Sequence, residues 1–183
     1  MMPIEDLRAF VASSPAAVPP TPENTQHVDG YVGEHVGFWV TGNPKPKGSM
    51  KCIGRRGKVA HVLTEDDSSG DRKRWREAVA TIADQARRRR TIDYPVKVHV
   101  SFYLERPANQ YGTGRNRDLV KDSAPAFPTG KTLGDLDKMQ RNLGDALVDG
   151  NLLADDSLIV DWIVSKRWAD KGRAGAAIRV YRA

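Results

Sequence analysis

Gly134-Asp135-Leu136-Asp137-Lys138-Met139-Gln140-Arg141-Asn142-Leu143-Gly144-Asp145-Ala146-Leu147 carries two patterns at once. At about 100° per residue, Leu136, Met139, Leu143, Ala146 and Leu147 gather on one side of a helix. Asp137, Arg141 and Asp145 recur one turn apart on the opposite side. The spacing predicts a helix over roughly Asp137–Val148, laid with its apolar stripe on a sheet and its charged stripe outward. Asp149-Gly150-Asn151 reads as the turn that ends it. Asp135 stands just before the first turn, where the helix dipole favours an anion.

On either side of this helix the pattern changes to strands. Val96–Leu104 alternates cleanly after Pro95, and His35–Thr41 (HVGFWVT) is a short aromatic and β-branched run closed by Gly42-Asn43-Pro44. Leu158–Trp168 and Ala176–Tyr181 read as two last strands, joined as a hairpin around Asp170-Lys171-Gly172-Arg173. A second helix is expected from Asp71 as N-cap to about Arg90. Trp75, Val79, Ile82, Ala83 and Ala86 form its apolar face, Arg72, Lys73 and Arg76 lie on the other, and Arg87–Arg90 sit in its last turn, where cations suit the dipole. Pro44–Lys51 reads as a stiff loop and residues 52–64 as a loose hairpin. Residues 105–134 form a long polar connection broken by Pro107, Pro125 and Pro128. Together these predict one α/β (α+β-like) domain over residues 35–183, a mixed β-sheet with two main helices packed on it. Residues 1–34, rich in Pro, Ser, Ala and Thr, read as a poorly ordered arm with a short helix at Met2–Val11.

Bulk properties narrow the function. The chain has 183 residues, enough for one compact core. Its net charge of +6 and pI near 9.5 favour a polyanionic partner. A single cysteine, Cys52, forbids an intrachain disulfide and an all-Cys zinc site, and suits a reducing cytoplasm. No apolar run approaches the roughly 20 residues of a membrane span, and the N-terminus is not a secretory signal.

Taken singly, each acid has an ordinary explanation. Asp135 could cap a helix, Asp137–Arg141–Asp145 could be a solvated ion-pair ladder, and Asp155-Asp156-Ser157 could be a strand entry. A helix capped by Asp-x-Asp, a glycine turn and an acidic pair before a strand would gather three carboxylates at one rim of the sheet. Carboxylates that close repel one another unless a cation neutralises them. Their hard oxygens suit Mg²⁺, or Mn²⁺, and none of the four histidines has zinc-like spacing. An acidic cluster in a basic protein is what metal-dependent phosphodiester cleavage needs.

The ordered set Asp135-x-Asp137-Lys138-x-x-Arg141, Asp145-Ala146-Leu147, Asp155-Asp156-Ser157 and Lys166 resembles the RusA family of Holliday-junction resolvases of bacteria and their phages. Phe38–Lys47 is similar to the family's opening strand and loop, and Tyr111–Asn116 to a loop of phage-type members. The resemblance covers about residues 36–182 and implies a Mg²⁺-dependent endodeoxyribonuclease that works in the cytoplasm as a homodimer and nicks four-way DNA junctions in pairs. No membrane and no small-molecule cofactor enter. Asp135 and Asp137 match the paired metal-binding acids, and Asp156 the third, with Asp155 competing for that place. Arg141 stands where some members carry a catalytic lysine; it keeps the charge but stays protonated. Asn43, Lys45, Lys47 and Lys51 in the Pro/Gly-stiffened loop are expected to meet DNA, with Arg72, Arg76 and Lys166 as further contacts. The alternatives are a branched-DNA-binding protein without catalysis and a different metal-dependent nuclease.

Overall fold

A computed structural model describes residues 28–32, 35–48, 50–52, 63–65 and 69–183. The helix expected at Met2–Val11, most of the expected arm and the inner part of the hairpin expected over 52–64 lie outside the described residues. The elements are β1 (Val28–Val32), β2 (His35–Thr41), β3 (Met50–Cys52), β4 (Leu63–Glu65), α1 (Asp71–Ala86), β5 (Val96–Leu104), α2 (Leu136–Asp149), β6 (Ile159–Trp168) and β7 (Gly175–Arg182). Five strands form one mixed sheet in the order β1-β2-β7-β5-β6, while β3 and β4 pair separately. Within the segment expected as an arm, β1 pairs antiparallel with β2.

The core lies between one face of the sheet and the two helices. Every second residue of β5 is buried (Val96, Val98, Val100, Phe102 and Leu104), as the alternation requires. Val36, Phe38 and Val40 of β2 and Ala176, Ile178 and Val180 of β7 join them. From the helices come Trp75, Val79, Ala83 and Ala86 of α1 and Met139, Leu143, Ala146 and Leu147 of α2. The stripe read in α2 is therefore its buried face.

Three expectations are corrected. β6 and β7 are not a hairpin: β7 inserts antiparallel between β2 and β5, and β6 pairs in parallel with β5. β5, α2 and β6 make a β-α-β crossover, for which a helix is the usual connector between parallel neighbours. Second, Gly70, left-handed at φ 68°, occupies the N-cap of α1, and Asp71 is the first helical residue. Third, α1 stops at Ala86, because Arg88 and Arg89 adopt positive φ (49° and 66°) and carry the arginine run out of the helix.

The helices touch where α2 ends. A Cβ on Gly150 would strike the Ala80 carbonyl of α1 and come within 2.9 Å of the Ala83 Cβ. Glycine is needed there for close approach. Gly150→Ala is expected to destabilise the domain by about 1–3 kcal/mol, the usual range for overpacking. Urea denaturation followed by circular dichroism measures it.

Candidate functional site

The site is built on the entry to α2. Gly134 is left-handed (φ 82°), and a Cβ there would lie 2.5 Å from the Pro46 ring, so only glycine lets the loop before β3 press against this turn. Next to it, Asp135 takes the N-cap position with extended backbone, yet its side chain makes no capping hydrogen bond. It meets the Lys138 ammonium at 3.2 Å instead and is 68% exposed. The capping explanation for this carboxylate therefore does not hold. Asp137, in the first turn, is 64% exposed and accepts from the Arg141 guanidinium at 2.8 Å. Lys166 stands opposite Phe102 on β6 and donates from Nζ to the Gly134 carbonyl at 3.0 Å, which fixes the turn that presents Asp135.

The acidic pair before β6 divides its labour. Asp155 accepts from the Ser157 backbone N–H at 2.9 Å and caps the 3-10 turn Asp156–Leu158. That bonding to Ser157 holds its carboxyl below the usual carboxylate range. Asp156 is exposed beside α2, its Cβ 3.9 Å from where a Gly144 Cβ would stand. Of the two, Asp156 has the carboxylate not spent on a cap.

The structure brings Asp135 and Asp137 to one helix entry but does not gather Asp156 to them. Gly144 lies nine residues beyond Asp135, about 13 Å along the helix axis at 1.5 Å per residue. Among the described residues, no three His, Cys, Asp or Glu side chains stand close enough to hold a metal ion. The donor chemistry of Asp135 and Asp137 fits a divalent cation: both carboxylates are exposed, and each is paired with a cationic side chain of its own helix. Mg²⁺ commonly takes only one or two protein carboxylates and fills the rest with water.

The basic residues are held by the fold itself. Lys47 pairs with Asp145 at 2.6 Å, and Arg76 binds Asp145 at 3.3 Å and also Asp149. Lys45 pairs with Asp71 at 3.3 Å. Arg74 also pairs with that carboxyl, and the two cations hold it below its ordinary range. Arg72 donates from Nε to the Pro46 carbonyl at 2.9 Å. The Asn43 side chain accepts from the Glu105 N–H at 3.3 Å, and with Lys45 it lines an open cleft of about 450 Å³ between β2 and α1. Lys51 lies in β3, and its side chain is outside the described residues.

Asp145 departs from the expected ladder. It is only 20% exposed and turns away from Arg141 to become the shared anchor of Lys47 and Arg76. Its sequence spacing could not reveal this, because both partners are distant in the chain. Removing it would take the carboxylate from Lys47 and one of two from Arg76, which keeps Asp149. Asp145→Asn is expected to cost about 1–2 kcal/mol. A double-mutant cycle with Lys47→Met should return a coupling of about 0.5 kcal/mol or more, whereas additive effects would mean the pair does not hold the loop.

A family profile described as "Endodeoxyribonuclease RusA" matches residues 41–181. The chain is also similar to the "Uncharacterized protein YqaN" of Bacillus subtilis (strain 168), with 30% identity over 142 residues, 78% of this chain and 94% of that protein.

Proposed function

The chain belongs to the endodeoxyribonuclease RusA family, and on that premise we propose that it resolves four-way DNA junctions by Mg²⁺-dependent, paired phosphodiester nicks as a homodimer. RusA nucleases depend in general on a divalent metal. The observation that carries the reading is the entry of α2: two exposed carboxylates in its N-cap and first turn, neither used as a cap, with Lys138, Arg141 and Lys166 bonded there.

In this reading Asp135 and Asp137 hold the cation, and Asp156 is the third acid. A bound Mg²⁺ supplies charge neutralisation and polarisation of the scissile phosphate. The family-related position of Arg141 makes it the group that stabilises developing negative charge. The Arg141 guanidinium is bound to Asp137 in the free chain, and were that carboxylate to hold a cation it would be available to a phosphate. Arg141 cannot act as a proton donor, since a guanidinium stays protonated. Lys166 acts on position, holding the Gly134 carbonyl and with it the turn that aims Asp135. Asn43, Lys45, Lys47, Lys51, Arg72 and Arg76 hold the DNA backbone from the neighbouring loop and helix. Those of them now bonded to protein groups would exchange these partners for phosphates. A two-fold dimer would present two such sites to a substrate of matching symmetry.

The experiment is junction nicking by the purified chain with and without Mg²⁺, beside a linear duplex control. Asp137→Asn should lower nicking by about 100-fold or more, the rate equivalent of several kcal/mol of lost charge stabilisation, while junction binding persists. An unsubstituted chain that bound junctions but never nicked them with Mg²⁺ or Mn²⁺ would leave only the non-catalytic binding role. Sedimentation equilibrium checks the dimer.

A further inference from the structure

The cations expected to meet DNA from the loop before β3 and from α1 are largely engaged within the fold, as Lys45, Lys47 and Arg76 show. The arginine run after α1 is different. Arg87 pairs with Asp84, but Arg88, Arg89 and Arg90 are exposed, and no carboxylate pairs with them among the described residues. Cations in this state can neutralise a phosphate without first leaving a protein carboxylate.

The backbone supplies a second observation. Arg88 and Arg89 both take left-handed φ values, 49° and 66°. After a helix that conformation is the usual place for glycine, and a residue with a Cβ bears a steric cost there. Two arginines stand where glycine would be the more stable choice, and the turn splays their side chains into solvent beyond the helix end. Stability alone gives no reason for that composition.

The run also has a defined place. Two residues after it, the Ile92 N–H donates to Leu152 and the Ile92 carbonyl accepts from Ala154, each at 2.9 Å, which pins the run beside the C-terminal end of α2. The carboxylates Asp135 and Asp137 stand at the other end of this 14-residue helix, about 21 Å away at 1.5 Å per residue. In duplex DNA, at about 3.4 Å per base pair, that is about six base pairs.

Resting on the junction-nicking reading above, we infer that Arg88, Arg89 and Arg90 form a second DNA contact that grips the phosphate backbone of a junction arm about six base pairs from the scissile phosphate. The contact is independent of sequence and distinguishes a branch point with extended arms from a short one.

The test uses the full chain and the variant R88G/R89G, whose glycines fit the left-handed turn and preserve the fold. Binding to labelled four-way junctions is measured across about 50–200 mM KCl, with arms that pass the run (about 12 base pairs) or stop short of it (about 4). On long arms the slope of log K against log salt should become shallower by about 1.8, at about 0.9 per lost phosphate contact. On short arms the slopes should coincide, and the melting temperature of the variant should rise. R88K/R89K should keep the long-arm slope. An unchanged slope on long arms, or an equal loss on both arm lengths, overturns the contact while leaving junction nicking by the unsubstituted chain intact. Failure of the unsubstituted chain to bind either junction overturns both readings.

Discussion

The segment Lys45–Lys47 is tied to α2 and to the turn that enters it, and the position of Asp135 and Asp137 follows from that tie. The Lys47 N–H donates to the Lys138 carbonyl at 2.9 Å, while its ammonium meets Asp145 two turns further on. Asn142, the buried polar residue of α2, donates to the Lys45 carbonyl at 2.9 Å. The Pro46 ring lies against Gly134 and its carbonyl accepts from Arg72 of α1. A loop with two prolines can form no ladder of its own, so its polar backbone must find partners elsewhere. It finds them on both helices, and thereby joins β2, α1 and the entry of α2 into one unit.

This arrangement changes the meaning of the basic residues. A count of charges treats Lys45, Lys47, Arg72 and Arg76 as available to a polyanion. In the fold they neutralise or bridge Asp71, Asp145, Asp149 and a carbonyl, and their first effect is to set the geometry of the site. A pair with both members partly exposed, such as Lys45–Asp71, is worth little, so a phosphate could compete for that cation without unfolding the loop. On the proposed function, the same cations would hold the loop in the free protein and move to DNA when it binds. Arg88–Arg90 face no such competition.

The acids show the converse. Asp135 and Asp137 are exposed carboxylates on a rigid helix entry, each facing one cationic side chain. Lys166, reaching from β6, adds a positive charge within one residue of Asp135 while donating to the Gly134 carbonyl. In the second acidic pair, Asp155 is spent on a cap and the Asp156 carboxylate is not.

Much of this was legible in the residues because it depends on periods of two and about 3.6, which a sequence displays directly. β5 begins and ends where the alternation does, β2 where its aromatic and β-branched run does, and the buried face of α2 is the stripe of Met139, Leu143, Ala146 and Leu147. That Asp135 and Asp137 both fall at the entry of α2 follows from where its apolar stripe begins. Only the tertiary structure could decide the rest, because partner choice between distant segments leaves no local period. It placed β7 between β2 and β5, turned Asp145 toward Lys47 and Arg76, and kept Asp156 beside Gly144, away from the other two acids. It also ended α1 at Ala86, where two arginines accept a backbone conformation their side chains disfavour.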